Sequence, residues 1–187
     1  MNTDRPFALL ITWTCYGTWL PGYARGYVSN TLPESGGWSP RENMPGTPYT
    51  ADDAHTNRRA RTLQKWPTVW LTAEQSLCVA ETLVRTAEKR HWRIVRAAVM
   101  ANHVHVLLMD GPDDGPAVRR ILKGNTQAAL TDQAGHPHRW WTEDGSDRYK
   151  HDWPAIEAAD VYVQDQLGKL AEVVDMVAQR CAGERAG

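Results

Sequence analysis

The chain has 187 residues, 42% of them hydrophobic, with 21 basic against 22 acidic side chains. That length suits one domain, or one domain with a large insertion. The composition excludes a disordered polyelectrolyte and a generally polycationic coat for nucleic acid. Charge is nonetheless uneven: residues 1–140 carry 16 basic and 12 acidic groups and residues 141–187 carry 5 and 10, so a local phosphate-binding patch stays open beside an ordinary solvated surface.

Three cysteines, Cys15, Cys78 and Cys181, have no C-x-x-C spacing. Neither a disulfide framework nor a zinc knuckle is expected, and a reducing cytoplasm is the default compartment. The apolar start "FALLITWTCY" (7–16) is too short to span a membrane and lacks a small-residue cleavage site, so no membrane partner is expected.

In chain order, residues 7–16 read as a buried strand, short, apolar and rich in β-branched and aromatic side chains. A Gly-, Pro-, Asn- and Ser-rich excursion follows, an irregular insertion over 18–71; its later part, "NRRARTLQKW", carries four basic residues and suits a short helix. Thr72 with Gln75 three residues on has capping-box spacing and opens a helix to about His91, with Leu77, Ala80, Leu83, Val84 and Ala87 as its apolar face.

"WRIVRAAVM" (92–100) and "HVHVLLMD" (103–110) read as an antiparallel hairpin joined by Ala101 and Asn102, and "GPDDG" as a turn. Pro116 suits the first turn of a second helix, with Val118, Ile121, Leu122 and Ala129 inward. Residues 131–153 are polar with room for one strand or a pair. Pro154 opens a third helix predicted to reach about Leu170, with a helical tail in 171–187. The order predicts a single domain over 1–187 of the α+β class: a ferredoxin-like antiparallel sheet with helices packed on one face.

Within "VMANHVHVLLMD" (99–110), His103 and His105 are two apart on a strand and so share one face, while Val104 and Val106 face the other way. Two adjacent imidazoles begin a divalent-metal site and need further ligands; a hydrogen-bonded structural pair is the plain alternative. The pattern alone is weak, because "GHPHRW" supplies a second H-x-H, His136 and His138, with proline between its histidines in a polar loop. In "PAIEAADVYVQDQLGKL", Ile156, Ala159, Val163, Leu167 and Leu170 form an apolar stripe. Tyr162 and Gln166, at i and i+4, lie on its edge, from where they could reach a site on the sheet; tyrosine and glutamine also flank many ordinary core stripes.

Together these segments resemble the REP-associated tyrosine transposases, single-tyrosine enzymes of the HUH superfamily that act on single-stranded DNA. "NHVHVLL" resembles the HUH motif, "TWTCYGTWLPG" the first-strand signature, and "YVQDQ" the late helix in which a tyrosine precedes a metal-binding polar residue by four positions. The resemblance covers most of residues 7–170, in order, and agrees with the ferredoxin-like pattern. It implies that His103, His105 and Gln166 are metal ligands for Mg²⁺ or Mn²⁺, and that Tyr162 is the nucleophile forming a 5′-phosphotyrosine. It further implies single-stranded DNA bearing REP-like hairpins as partner, and a cytoplasmic, nucleoid-associated bacterial setting.

Departures from the family pattern are Cys15 for a frequent threonine, Ala101 for a frequent proline, the absence of acidic residues in "GYARGY", and the lack of an "HLNPVRAGLV"-like segment after Tyr162. Arg119, Arg120 and Lys123 form the best basic cluster for DNA, with a solvated helix face as the alternative; Arg58, Arg59 and Arg61 are a weaker one. Trp140 and Trp141 suit either base stacking or core packing, and monomer and homodimer are both compatible. The alternatives in function are a domesticated hairpin-binding protein that does not cut, and a metal hydrolase unrelated to DNA.

Overall fold

The computed structural model describes residues 7–20, 54–112 and 114–181. The expectations placed on 21–53 and on the end of the tail, 182–187, lie outside them. The elements are β1 (Ala8–Thr14), α1 (Ala54–Thr62), α2 (Ala73–Arg90), β2 (Arg93–Met100), β3 (His103–Met109), α3 (Gly115–Ala134), β4 (Ser146–Lys150), α4 (Trp153–Gln164), β5 (Lys169–Val174) and β6 (Val177–Arg180). The chain divides into two compact units, Met1–Cys15 with Trp70–Gly187, and Tyr16–Val69.

The larger unit is a six-stranded antiparallel sheet in the order β4-β1-β3-β2-β5-β6, with helices packed on it. Its first four strands, with α2 and α3, reproduce the ferredoxin-like split βαβ arrangement expected of the sequence. Local chemistry explains the helix ends. Thr72 and Gln75 form the capping box: Thr72 accepts from the Gln75 amide and Gln75 from the Thr72 amide. Asp114 caps α3 at Ala117, and Asp152 caps α4 at Ala155. Gly135 closes α3 at φ 72°, a left-handed conformation that glycine takes without cost.

Strand alternation then sorts side chains onto two faces. Leu9, Ile11, Trp13, Val104, Val106 and Leu108 are fully buried on one face, with Val79 and Leu83 of α2 and Val118 and Leu122 of α3 also fully buried. Leu10, Leu107, Ala98 and Met100 point to the other face, where Ile156, Ala159 and Val163 of α4 cover them. Helices therefore occupy both faces rather than the single face predicted. Helix α4 leaves β4 at one side of the sheet and returns to β5 beyond β2, so it crosses the second face.

That helix is also shorter than predicted. It stops at Gln164 instead of about Leu170, and Gly168 follows at φ 73°. The tail is not helical: β5 and β6 form a hairpin whose two turn residues, Asp175 and Met176, both have positive φ, 44° and 69°. The β-branched run Val173–Val174, pairing with Ala97 and Arg96, favours a strand over a helix there.

In the smaller unit α1 covers Ala54–Thr62, close to the short helix expected in "NRRARTLQKW". The Tyr16 hydroxyl accepts from the Lys65 amide, and the Tyr16 carbonyl from the Val69 amide. Gly17, at φ 77°, lies so close to Gln64 and Thr68 that a β-carbon would collide with both.

Leu83 is fully buried. Leu83→Ala is expected to lower the unfolding free energy by about 2–5 kcal/mol in urea titrations. Loss of the capping box in Thr72→Ala should cost about 1 kcal/mol. Equal effects of the two substitutions would contradict this division between core and cap.

Candidate active site

The β1–β3 ladder sets the site. It pairs Thr12 with His105 and Thr14 with His103, so four polar side chains share the face crossed by α4. His105 is buried at 5% exposure, and Thr12 Oγ1 lies 2.7 Å from its Nδ1. His103 Nδ1 donates to Asn102 Oδ1 at 2.6 Å. The two rings meet edge to face, centroids 4.9 Å apart. Where Thr12 accepts from the His105 Nδ1–H, both imidazoles keep Nε2 as the nitrogen that a metal would meet, the usual outer-shell arrangement of histidine ligands.

Burial sets the charge of the pair. Desolvation pulls His103 down to about 4. Desolvation, helped by the neighbouring His103, pulls His105 down to about 3. Both rings are therefore neutral near pH 7, as metal ligation requires.

Tyr162 stands in the last turn of α4. Val163 beside it enters the core, and the Tyr162 ring packs edge-on against His105 with centroids 5.3 Å apart. The phenol is 49% exposed, so solvent or a large substrate can reach it. The structure thus brings together three of the four residues singled out for the chemistry. Gln166 is different: it lies beyond the end of α4, and its Nε2 donates to the Tyr162 carbonyl at 2.9 Å, satisfying an orphan helix-end acceptor. Among the described residues no group of three or more His, Cys, Asp or Glu side chains is arranged to hold a metal ion. Two neutral imidazoles side by side have the chemistry of two ligands of a divalent ion.

The predicted basic cluster is largely occupied within the fold. Lys123 Nζ donates to the carbonyls of Thr142, Glu143 and Asp144 at 2.7, 2.8 and 2.9 Å, which uses all three ammonium protons. Burial, with Arg119 nearby, lowers its pKa to about 8. Arg119 pairs with Asp147 at 3.0 Å, and only Arg120 of the three is exposed. Arg58, Arg59 and Arg61 are exposed on α1. Trp140 and Trp141 are core residues: Trp140 Nε1 donates to Thr131, and Trp141 stacks edge-on against Trp13 at 5.9 Å. Tyr149 sits on β4, its hydroxyl accepting from the Gly115 amide.

Sequence reading missed Thr12 and Asn102, the partners that orient the two imidazoles. For Thr12 a signal existed: "TWT" alternates in step with "HVH", so hydroxyls must share a face with imidazoles if the strands pair. The 142–145 loop was also missed. Gly145 lies so close to the Thr12 carbonyl that a β-carbon would come within 2.5 Å of it, and the Lys123 bonds hold that loop in place.

Family models give no match to this chain, nor do curated proteins. Among solved structures, a REP-associated tyrosine transposase bound to a REP hairpin is similar at TM-score 0.45 and 12% identity, over 85% of this chain. The chain spans 65% of the length of that one.

In metal-free protein the His103 and His105 ring protons should show no titration in NMR spectra between pH 5 and 8, because both folded-state values lie below that window. The unfolded chain takes up protons near the ordinary histidine pKa, about 6.5, so stability should fall as pH drops below that point and fall less in a His103→Gln/His105→Gln double variant. Thr12→Val leaves a buried ring nitrogen without a partner and should cost about 1–3 kcal/mol in denaturant titration. Thr12→Ser should restore most of it.

Proposed function

We propose that this chain is a metal-assisted enzyme that nicks and rejoins single-stranded DNA near hairpins, with Tyr162 as nucleophile. The observation that carries this reading is the edge-on contact of Tyr162 with His105 on a neutral histidine pair, within one chain. The resemblance of "NHVHVLL" and "YVQDQ" to HUH motifs points to the same chemistry.

In this mechanism the Tyr162 phenolic oxygen attacks phosphorus in line, forming a phosphorus–oxygen bond while the bond to the 3′ oxygen breaks. The phenolic proton passes to solvent, and the leaving strand ends as a 3′-hydroxyl after taking up a proton. The 5′-phosphotyrosine conserves the energy of the diester, so another 3′-hydroxyl can attack it and regenerate Tyr162 without ATP. His103 and His105, with Gln166 as the third donor, would hold a divalent ion, Mg²⁺ or Mn²⁺. When bound, the ion neutralises phosphate charge and orients the diester. Neutral ligands leave the full charge of the cation for that task. Thr12 and Asn102 fix the ring orientations, and half exposure lets Tyr162 meet a polymer that could not enter a closed pocket.

A second reading, hairpin binding without cutting, draws on the Gln166 side chain, which is bonded to the Tyr162 carbonyl. The test uses the full chain, Mn²⁺ and a pool of hairpin-bearing oligonucleotides. Wild type should give a denaturation-resistant protein–DNA adduct that chelator abolishes. Tyr162→Phe should give none, and Thr12→Val should need roughly 10–100-fold more metal. Hairpin binding with no adduct under any metal supports the second reading. An adduct that survives in Tyr162→Phe removes Tyr162 from its role.

A further inference from the structure

A bulge in β2 decides which way Arg96 points. Arg93 pairs with Met109 and Ile94 with Leu108, but Arg96 pairs with Leu107, leaving Val95 as the extra residue. In an unbroken register Arg96 would lie opposite Val106 and face α2 and α3. One added residue moves it to the opposite face, the one crossed by α4. There it meets Asp160 in a two-pronged pair, Nε to Oδ1 at 2.6 Å and Nη2 to Oδ2 at 3.0 Å. Both side chains are mostly buried, 17% and 26% exposed, so the fork is geometrically defined rather than a loose surface contact.

Asp160 and Tyr162 lie on opposite flanks of α4. At 3.6 residues per turn, Asp160 stands roughly 70° to one side of the Ile156–Ala159–Val163 stripe and Tyr162 roughly 90° to the other. The apolar stripe holds the helix down but resists rolling only weakly, because small shifts keep it buried. The Arg96 fork on the β2 side opposes a roll, and Tyr162 on the β3 side is what a roll would carry away from His105.

We propose that Arg96, turned onto the histidine face by the Val95 bulge, is a positioning residue that fixes the rotation of α4 through Asp160 and so presents Tyr162 to His105. Its effect on catalysis rests on the reading of Tyr162 as nucleophile; its effect on geometry does not.

The test separates the two. In metal-free, DNA-free protein, NMR cross-peaks between the Tyr162 and His105 rings report the contact directly. Arg96→Leu is expected to keep its circular dichroism spectrum, lose those cross-peaks, and lower the single-turnover rate of adduct formation on the order of 10- to 100-fold with DNA affinity unchanged. Arg96→Lys should recover only part, since a single ammonium cannot reproduce the fork. The exchanged pair Arg96→Asp/Asp160→Arg should recover cross-peaks and rate. Should Arg96→Leu fail to fold, Asp160→Asn, which keeps the side-chain size, is read in the same way. Undiminished cross-peaks in a folded Arg96→Leu or Asp160→Asn protein overturn the proposal. Cross-peaks that depend on Arg96, in a protein that never forms an adduct, uphold the positioning role and overturn the nucleophile.

Discussion

The hydrogen bond between Thr12 and His105 across the β1–β3 ladder is the contact on which the rest of the site depends. The register that sets Thr12 opposite His105 also sets Thr14 opposite His103, and it fixes which face carries imidazoles and which carries Val104 and Val106. A one-residue slip would bury the histidines under α2 and α3 and turn the valines toward α4. The fully buried apolar side chains on the opposite face of β1 and β3 oppose that slip, each contributing about 1.5–3 kcal/mol when buried. Core packing on one side of the sheet thereby holds a polar arrangement on the other.

Around that ladder the fold places two supports of different kinds. On the β1 side, Lys123 gathers three successive carbonyls, and the loop it holds lies against the Thr12 backbone at Gly145. On the β2 side, the Arg96–Asp160 fork anchors α4. Two cations, one of them first in line to bind phosphate from the sequence, thus serve the internal geometry of the histidine face.

What could be read in advance follows from which interactions are local. The capping box at Thr72 and Gln75, the H-x-H alternation and the β2–β3 hairpin involve residues close in sequence, and their periodicities are explicit. The end of α4 was not readable, because "LGKL" continues the apolar stripe and only the pairing of Val173 with a strand 76 positions earlier turns the segment into a sheet edge. The β5–β6 turn was hidden for a different reason: Asp175-Met176 puts methionine where Asn-Gly or Asp-Gly would announce a two-residue hairpin. The Val95 bulge leaves no mark in the sequence, and the face chosen by Arg96 depends on it. Of the candidate site, residue types and spacing singled out His103, His105, Tyr162 and Gln166 and the family resemblance supplied their proposed roles, whereas Thr12 and Asn102 became visible only once strands were paired.

The most direct measurement of the central claim is an anomalous-diffraction map of crystals soaked in Mn²⁺. The account predicts a peak bonded to Nε2 of both His103 and His105, beside the Tyr162 hydroxyl. A peak at His136 and His138 instead, or none at the buried pair while the soaked protein still forms DNA adducts, would contradict it.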